Sequence, residues 1–239
     1  MTDKRILLSA IWNQDSGMDV LFDDKYFGSK GYKELEKEKN VVLVLWGGED
    51  ISPALYNQKP SLYTFAKPVP STRDLIEKRM AEWAIKNGFP IIGICRGAQM
   101  MCALSGGKLV QDVNGHFGHH PIYCKEVVPG LGDVVVEASS IHHQMMIPDG
   151  VDHQLIAFPE GKRSNHYRGQ DGEDIAECLN PEWREPEIVW FPKTKALCIQ
   201  GHPEYMGDKT PFVQLVTKLV EHFCLNPQPH TNETEPNRG

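Results

Sequence analysis

The segment FPIIGICRGAQMM, residues 89–101, constrains the fold of this chain more than any other. An apolar run of strand length leads into Gly93-x-Cys95-x-Gly97, and a helix is predicted to follow. Such a strand–turn–helix elbow presents a nucleophile on a tight turn, and here cysteine takes the place of serine. Cys95 would also lie at a helix N-terminus, where the helix dipole favours the thiolate. Taken alone, the pattern leaves open that Cys95 is an ordinary buried thiol.

Apolar runs of strand length recur along the chain and alternate with predicted helices. The runs are Ile6–Ile11, Val41–Trp46, Pro90–Ile94, Val134–Val136, Glu187–Phe191 and Ala196–Gln200. Several are apolar throughout, as expected for strands that are covered on both faces. This alternation predicts an α/β fold with a mostly parallel central sheet flanked by helices.

Three helices are predicted from local signals. The first begins at the capping box Ser71–Asp74 and ends at Asn87-Gly88. The second should run from Arg96 to Leu104, directly after the cysteine. The third, from Pro211 to Phe223, carries its apolar residues on one stripe.

Composition limits the class of protein. The 239 residues carry a formal charge of −7, which argues against a nucleic-acid partner because phosphates must be met by a basic face. The sequence shows neither a secretory signal nor a stretch of membrane-spanning length, so we expect a cytoplasmic protein without a membrane partner. Residues 1–225 are expected to form a single domain, and residues 226–239 a disordered tail without apolar periodicity.

A second polar motif, Gln200-Gly201-His202-Pro203-Glu204, follows the apolar run that begins at Ala196. If the extended conformation continues, His202 and Glu204 project from the same face. The carboxylate could then fix the imidazole tautomer while the other ring nitrogen takes a proton from Cys95. Taken alone, such a pair at a strand end is more often an ordinary surface feature.

A third motif, Gly47-Gly48, follows the apolar run that ends at Trp46. Paired glycines at a strand end allow a backbone N–H to point into a cleft, although they also mark simple turns. Together with the N–H of Arg96, such a group would form an oxyanion hole. Since the three motifs all end predicted strands, where crevices form in open α/β sheets, we expect them to meet.

A group of histidines raises the alternative of a metal site. Five lie in one stretch of the chain: His116, His119, His120, His142 and His143. No H-E-x-x-H motif or clear carboxylate partner accompanies them, and the six cysteines include no C-x-x-C pair. We therefore expect no metal and no cofactor, with His116–His120 in a polar loop.

Taken together, the motifs resemble the class I glutamine amidotransferase-like superfamily, and within it most closely the γ-glutamyl hydrolase branch (the C26 peptidase-like group, which includes γ-glutamyl-GABA hydrolases). The matching segments, in family order, are Gly47-Gly48-x-Asp50-x-x-Pro53, Arg73-Asp74, Gly93-Ile94-Cys95-Arg96-Gly97-x-Gln99, Gly106-Gly107-x-Leu109-x-Gln111-Asp112, Ser140-x-His142-His143-Gln144 and Gly201-His202-Pro203-Glu204. The resemblance implies a flavodoxin-like fold and a Cys-His-Glu triad. Residues 159–187 carry no matching motif, and they could form a docking surface.

The resemblance also implies a role for individual residues. Cys95 would be the nucleophile, His202 the base and Glu204 the residue that orients it. The backbone N–H groups of Gly48 and Arg96 would form the oxyanion hole. The substrate-binding residues would be Gly47, Gln99, Ser140, His142, His143 and Gln144.

The expected activity is hydrolysis of a γ-glutamyl amide bond, in glutamine or a γ-glutamyl conjugate, through a γ-glutamyl thioester. The partner would be that small-molecule substrate. One alternative is a glutaminase subunit that delivers ammonia to a separate ATP-dependent synthetase, since the chain contains no G-x-x-x-x-G-K-[ST] loop. A non-catalytic binding module is disfavoured by the complete triad. Transfer of the glutamyl group to an acceptor other than water and assembly into a homo-oligomer both remain open.

Overall fold

Thirteen strands and three α-helices are present in the computed structural model, which describes residues 4–11, 18–179 and 182–226. The strands are β1 (Arg5–Ser9), β2 (Asp24–Phe27), β3 (Asn40–Leu45), β4 (Ile91–Ile94), β5 (Lys108–Val110), β6 (Asp112–Val113), β7 (Phe117–Cys124), β8 (Val134–Ile141), β9 (Met145–Ile147), β10 (Gln154–Phe158), β11 (Tyr167–Arg168), β12 (Ile188–Phe191) and β13 (Ala196–Ile199). The helices are α1 (Thr72–Asn87), α2 (Arg96–Leu104) and α3 (Pro211–Val220).

Nine strands form one sheet in the order β2-β1-β3-β4-β13-β12-β10-β7-β8. The first five strands, from β2 to β13, run parallel to one another. Their order is that of the flavodoxin-like folds. The predicted α/β fold, with its mostly parallel central sheet flanked by helices, is therefore confirmed. The remaining four strands pair antiparallel and extend the sheet at one edge.

Both faces of β1, β3, β4 and β13 are buried, as their continuous apolar runs predicted, whereas the edge strand β2 is mostly exposed. On β3, Val42 and Val44 belong to a cluster that also contains the apolar stripe of α3. The alternate residues Val41, Leu43 and Leu45 belong to a second cluster, built with α1 and α2. The sheet is thus covered by helices on its two sides, and the carboxyl ends of β3, β4 and β13 lie side by side.

The helix signals predicted from the sequence can be compared with the ends of α1 and α3. Ser71 Oγ accepts a hydrogen bond from the Asp74 N–H (3.1 Å), and Asp74 Oδ2 accepts one from the Ser71 N–H (2.8 Å), which completes the predicted capping box of α1. The third helix differs from its prediction, because α3 ends at Val220 and continues as one turn of π-helix, Glu221–Leu225. Residues 227–239 of the expected tail lie outside the described residues.

In the part of the chain that the structure describes, no helix combines the length and the apolar character needed to cross a membrane.

Candidate active site

Cys95 lies at the sharp turn between β4 and α2, with φ 48° and ψ −106°. This positive φ is uncommon for a residue with a side chain and marks local strain. The neighbouring glycines allow the turn to pack closely. A Cβ on Gly97 would lie 2.0 Å from the carbonyl oxygen of Leu45, and one on Gly93 would lie 2.6 Å from the backbone of Gly97. The elbow therefore has the geometry that the sequence predicted.

His202 follows β13, which pairs with the strand that leads into Cys95. The Nδ1 atom of His202 lies 2.8 Å from Oε1 of Glu204, and the imidazole also interacts electrostatically with the Cys95 side chain. Pro203–Tyr205 form a turn of 3-10 helix, so Glu204 reaches the ring through a turn, not through the extended conformation that we expected. The structure thus brings together the three residues proposed as a triad.

The ionisation of His202 is strongly perturbed. Burial of the imidazole lowers its pKa, but the interactions with Cys95 and Glu204 outweigh burial and raise the pKa to about 10. At neutral pH the ring therefore carries a proton beside the cysteine sulfur. A protonated imidazole can later give its proton to a leaving group, which is one role of the histidine beside a cysteine nucleophile.

Two residues that the sequence did not single out hold His202 in place. Ser139 Oγ donates to the His202 carbonyl (2.6 Å) and accepts from the His202 N–H (3.0 Å). The ring of Tyr205 stacks on the imidazole. Ser139 is adjacent to a recognised motif, but the contribution of Tyr205 depends on the 3-10 turn, for which the sequence carries no clear signal.

The Gly47–Gly48 segment lies against the triad. A Cβ on Gly47 would lie 2.8 Å from Cε1 of His202 and 3.5 Å from Cβ of Cys95. On the other side, Arg73 Nη2 donates to the Gly47 carbonyl (3.0 Å) and to the Trp46 carbonyl (2.9 Å). Because C=O and N–H of a trans peptide point in opposite directions, the Gly48 N–H faces away from Arg73. That orientation suits one donor of the predicted oxyanion hole.

The second predicted donor, the N–H of Arg96, belongs to a residue whose side chain is fully buried. Its guanidinium pairs with the carboxylates of Asp74 and Glu77 on α1. Glu77 also accepts from Arg73 Nε (2.9 Å), so one ionic network connects Arg96 to the backbone of Gly47, beside both predicted oxyanion donors. A buried arginine needs such pairing, since an isolated buried charge is costly.

A cavity of about 910 Å³ opens beside this network. Gly48, Arg96 and His143 contribute to its wall, and the segment from Phe65 to Asp74 forms much of the rest. Cys95 is buried and does not itself line the cavity, but its neighbour Arg96 does. The cavity therefore adjoins Cys95 from the side of Gly48 and Arg96, the two predicted oxyanion donors.

The residues expected to bind substrate divide into two groups. His143 lines the cavity, while Gln99 and Gln144 lie behind it and are linked by a hydrogen bond from Gln99 Nε2 to the Gln144 carbonyl (3.1 Å). In contrast, Ser140 is fully buried, with Oγ donating to the His116 carbonyl (2.9 Å). His142 is also buried and contacts Glu187.

Asp50 connects His143 to the loop that borders the cavity. Its Oδ1 lies 3.0 Å from His143 Nε2, and its Oδ2 accepts from the N–H of Phe65 (2.9 Å) and the hydroxyl of Thr64 (3.1 Å). Burial lowers the pKa of His143, but the hydrogen bond to Asp50 raises it above the ordinary value overall. The cavity wall thus presents a histidine that favours its charged form.

Behind this wall lies a histidine–glutamate cluster formed by His116, His120, His142, Glu185 and Glu187. The expectation that His116–His120 form a polar loop is wrong for both end residues, since they are buried and contact Glu187. Glu185 and Glu187 lie more than 60 residues after His116 and His120 in the chain. No local pattern indicated that these carboxylates would pair with the two histidines.

Comparison with known proteins bears on the family and the fold. The family model for Peptidase C26 matches residues 38–204. Protein NtpR of Enterococcus hirae is 30% identical over 168 residues, which are 68% of this chain and 66% of that protein. YvdE of Lactococcus lactis subsp. lactis, named for its likeness to glutamine amidotransferases, is 35% identical over 229 residues, covering 88% of this chain and 84% of its own. A crystal structure from Thermoplasma acidophilum, provisionally named as part of a GMP synthase, shares the fold with a TM-score of 0.59 at 15% identity, covering 93% of this chain and 94% of that one.

Proposed function

Because the chain belongs to the Peptidase C26 family of class I glutamine amidotransferase-like proteins, we propose that it hydrolyses γ-glutamyl amide bonds with Cys95, His202 and Glu204. One observation carries the proposal. The imidazole of His202 is hydrogen-bonded to Glu204 and interacts electrostatically with Cys95, a cysteine on a strained elbow, beside Gly47. This arrangement is that of an activated nucleophile with its base and orienting carboxylate.

In the proposed reaction, the Cys95 thiolate attacks the amide carbonyl carbon and forms a C–S bond. The negative charge that develops on the carbonyl oxygen is received by the N–H groups of Gly48 and Arg96. As the C–N bond breaks, the His202 imidazolium gives its proton to the departing amine or ammonia. The neutral imidazole then takes a proton from water, which attacks the thioester carbonyl. The C–S bond breaks, the γ-carboxylic acid leaves and loses its proton to solvent, and the thiolate–imidazolium pair is restored.

The shape of the cavity favours a γ-glutamyl conjugate over free glutamine. Its volume of about 910 Å³ is near the upper end of small-molecule sites. Its wall combines the charged side chains of Glu49, Lys67 and Arg73 with the apolar side chains of Phe65 and Val69. A leaving group larger than ammonia would occupy this space, so we propose a free-standing hydrolase of a γ-glutamyl amide.

A second candidate function rests on a different observation. Several large apolar side chains are exposed on the loop beside the cavity: Leu62, Tyr63, Phe65 and Val69. Exposed apolar patches often mark protein contacts. A synthetase docked there would make the chain the ammonia-donating glutaminase component of an amidotransferase, in keeping with the name of the Lactococcus relative.

Turnover by the purified chain alone separates the two functions. Ammonia release from glutamine is measured beside amine release from a panel of γ-glutamyl amides, with Cys95→Ala as the inactive control. Brisk cleavage of a conjugate without a partner supports the hydrolase. Slow glutaminase activity that rises steeply with an ATP-dependent enzyme would favour the ammonia-donating function. Equal activity in Cys95→Ala would reject the cysteine chemistry in both.

A further inference from the structure

Three imidazole rings surround one carboxylate in the histidine–glutamate cluster. The Oε1 atom of Glu187 lies 3.1 Å from His116 Nδ1, 3.0 Å from His120 Nε2 and 3.9 Å from His142 Nε2. All four side chains are buried, and the ligand atoms of His116, His120 and Glu187 lie within 4.8 Å of one another. Buried polar atoms such as these require partners, which can be hydrogen-bond donors and acceptors or a bound ion.

The tautomer of His142 adds a second, independent observation. Its Nδ1 donates to the Gln144 carbonyl at 2.9 Å, because a carbonyl can only accept. In the neutral ring Nε2 therefore carries a lone pair, and this buried atom has no hydrogen-bond partner among the described residues. It faces the Glu187 carboxylate. A lone pair and a carboxylate repel each other unless a cation lies between them.

The outer contacts of His116 match those of a metal-bound histidine. While Nδ1 faces Glu187, its Nε2 lies 3.2 Å from Oε2 of Glu185, close enough for an ion pair but without hydrogen-bond geometry. Glu185 is itself fixed by the N–H groups of Arg163 (2.9 Å) and Ser164 (2.8 Å). A carboxylate that accepts the outer N–H of a ligating histidine orients the ring and strengthens its basicity.

Charge balance also favours a divalent ion. Glu185 and Glu187 are both buried, and in the described part of the chain their ion-pair partners are histidines, with no lysine or arginine among them. One divalent cation with three neutral imidazoles neutralises the two carboxylates. The alternative to a metal ion is protonation of the histidines. Although burial lowers the pKa of His116, the two carboxylates raise it to about 9.

We propose that His116, His120 and Glu187 bind one divalent transition-metal ion, with Zn²⁺ as its representative, and that His142 turns its Nε2 to the ion as the fourth ligand. Imidazole nitrogen and carboxylate oxygen are ligands that zinc accepts, and four ligands at zinc bond lengths in a tetrahedron lie about 3.3 Å apart. The ligand atoms of His116, His120 and Glu187 lie within 4.8 Å of one another, whereas His142 Nε2, 3.9 Å from Glu187 Oε1, lies outside that group. Since every ligand is buried, the ion has no position open to substrate, and its role is structural.

The site links the start of β7, the segment after β8 and the start of β12. His142 and Gln144 belong to that middle segment, and the Gln144 carbonyl accepts from Gln99 on the nucleophile helix. A metal at this point would fix the wall behind the cavity. It would do so without taking part in the cysteine chemistry, so the inference does not depend on the proposed function.

The test uses the full chain without a histidine tag and in a Cys95→Ala background, so that Cys95 cannot contribute a thiolate ligand. Metal per chain is measured by mass spectrometry after purification. The chelator-treated protein is then titrated with Co²⁺, whose visible absorption is strong in tetrahedral sites and weak in octahedral ones. We expect one zinc ion per chain, a tetrahedral Co²⁺ spectrum and a lower melting temperature after chelation.

Variants assign the ligands. His120→Ala should abolish the Co²⁺ spectrum, whereas His119→Ala, on the exposed neighbouring histidine of β7, should leave it unchanged. Glu185→Gln should weaken binding by about 10- to 100-fold while the ligands stay in place. If His120→Ala does not fold, the Co²⁺ spectrum of the parent protein and the metal affinity of Glu185→Gln still test the proposal. A folded parent that holds no metal and gives no tetrahedral Co²⁺ spectrum would overturn the proposal in favour of protons.

Discussion

The ring of Tyr205 stacks on the ring of His202, with the centroids 4.6 Å apart and the planes 8° from parallel. Tyr205 is 63% exposed, so its ring lies between the imidazole and solvent. Glu204 fixes the same imidazole at Nδ1. Since the hydrogen bond fixes one ring atom and the stack fixes the ring plane, the two contacts together define the direction from which His202 meets Cys95.

Removal of the stacked ring should therefore weaken the proposed reaction without abolishing it. For Tyr205→Ala we expect kcat/KM to fall about three- to tenfold, because an aromatic pair contributes about 0.5–1.5 kcal/mol. Tyr205→Phe keeps the ring and should stay within about twofold of the wild type. Steady-state kinetics on a γ-glutamyl amide checks both. An unchanged Tyr205→Ala would mean that Glu204 alone orients His202.

The strain at Cys95 leads to a stability prediction. Both Cys95→Ala and Cys95→Gly should lose all turnover, since neither has a sulfur. At φ 48°, however, alanine keeps a strain of about 1–3 kcal/mol that glycine avoids. Cys95→Gly should thus be at least as stable as Cys95→Ala in urea unfolding, although glycine in an element interior usually costs about 0.5–1 kcal/mol. A less stable glycine variant would indicate that the elbow is unstrained.

The raised pKa of His202 predicts the pH dependence of the reaction. The imidazolium must donate to the leaving amine, so activity should fall as pH rises through about 10. Glu204→Gln removes a carboxylate that favours the charged ring. Its alkaline limb should then move to lower pH, with a smaller loss of kcat than in His202→Asn.

The pH dependence of kcat/KM and of kcat measures this shift, and imidazole nitrogen NMR of His202 provides a check that is independent of turnover. An alkaline limb that stays in place in Glu204→Gln would show that another group orients the histidine.

The features that the sequence predicted are those with local causes. The capping box of α1, the elbow at Cys95 and the apolar strands all depend on residues that are close together in the chain. The site could be proposed because its three motifs, two for the triad and one for the oxyanion hole, end neighbouring parallel strands. Their approach follows from the general geometry of open α/β sheets.

The features that the sequence missed depend on contacts between distant residues. The antiparallel extension through β7 and β8 pairs strands with mixed polarity, such as FGHHPIYC, in which no single period dominates. The histidine–glutamate cluster joins His116 to Glu187 across 71 positions. Arg73 donates a hydrogen bond to the Gly47 carbonyl, which follows β3, across 26 positions. No local pattern encodes such pairings, and a single sequence therefore does not predict them.

The buried network around Arg96 should dominate the stability of the elbow. Arg96→Met removes the Arg96 guanidinium from the buried carboxylates of Asp74 and Glu77. Among the described residues, Glu77 then keeps only its pair with Arg73. We expect the free energy of unfolding to fall by about 3–5 kcal/mol, the usual cost of breaking a buried ion pair from one side. As a control, Lys78→Met removes the exposed Lys78–Glu82 pair and should cost about 0.5 kcal/mol or less. Urea unfolding compares the two, and equal losses would contradict the assigned role of burial.

Gly48 provides the sharpest test of the oxyanion hole. It has φ +143°, and a Cβ there would lie 2.3 Å from Nη1 of Arg73. In Gly48→Ala, either the peptide or the guanidinium must move, and the Gly48 N–H loses its orientation. Loss of one oxyanion donor lowers kcat by about 100- to 1,000-fold. We therefore expect kcat to fall in that range while KM changes little.

Gly28 provides the matched control, because it has a similar φ of +136° but nothing within 4 Å of its added Cβ. Gly28→Ala imposes comparable backbone strain at a position far from Cys95 in the sequence, on the turn after β2. It should lower stability and leave kcat unchanged. If both variants lose stability equally and neither loses turnover, strain alone accounts for Gly48, and the N–H that stabilises the oxyanion must come from another residue.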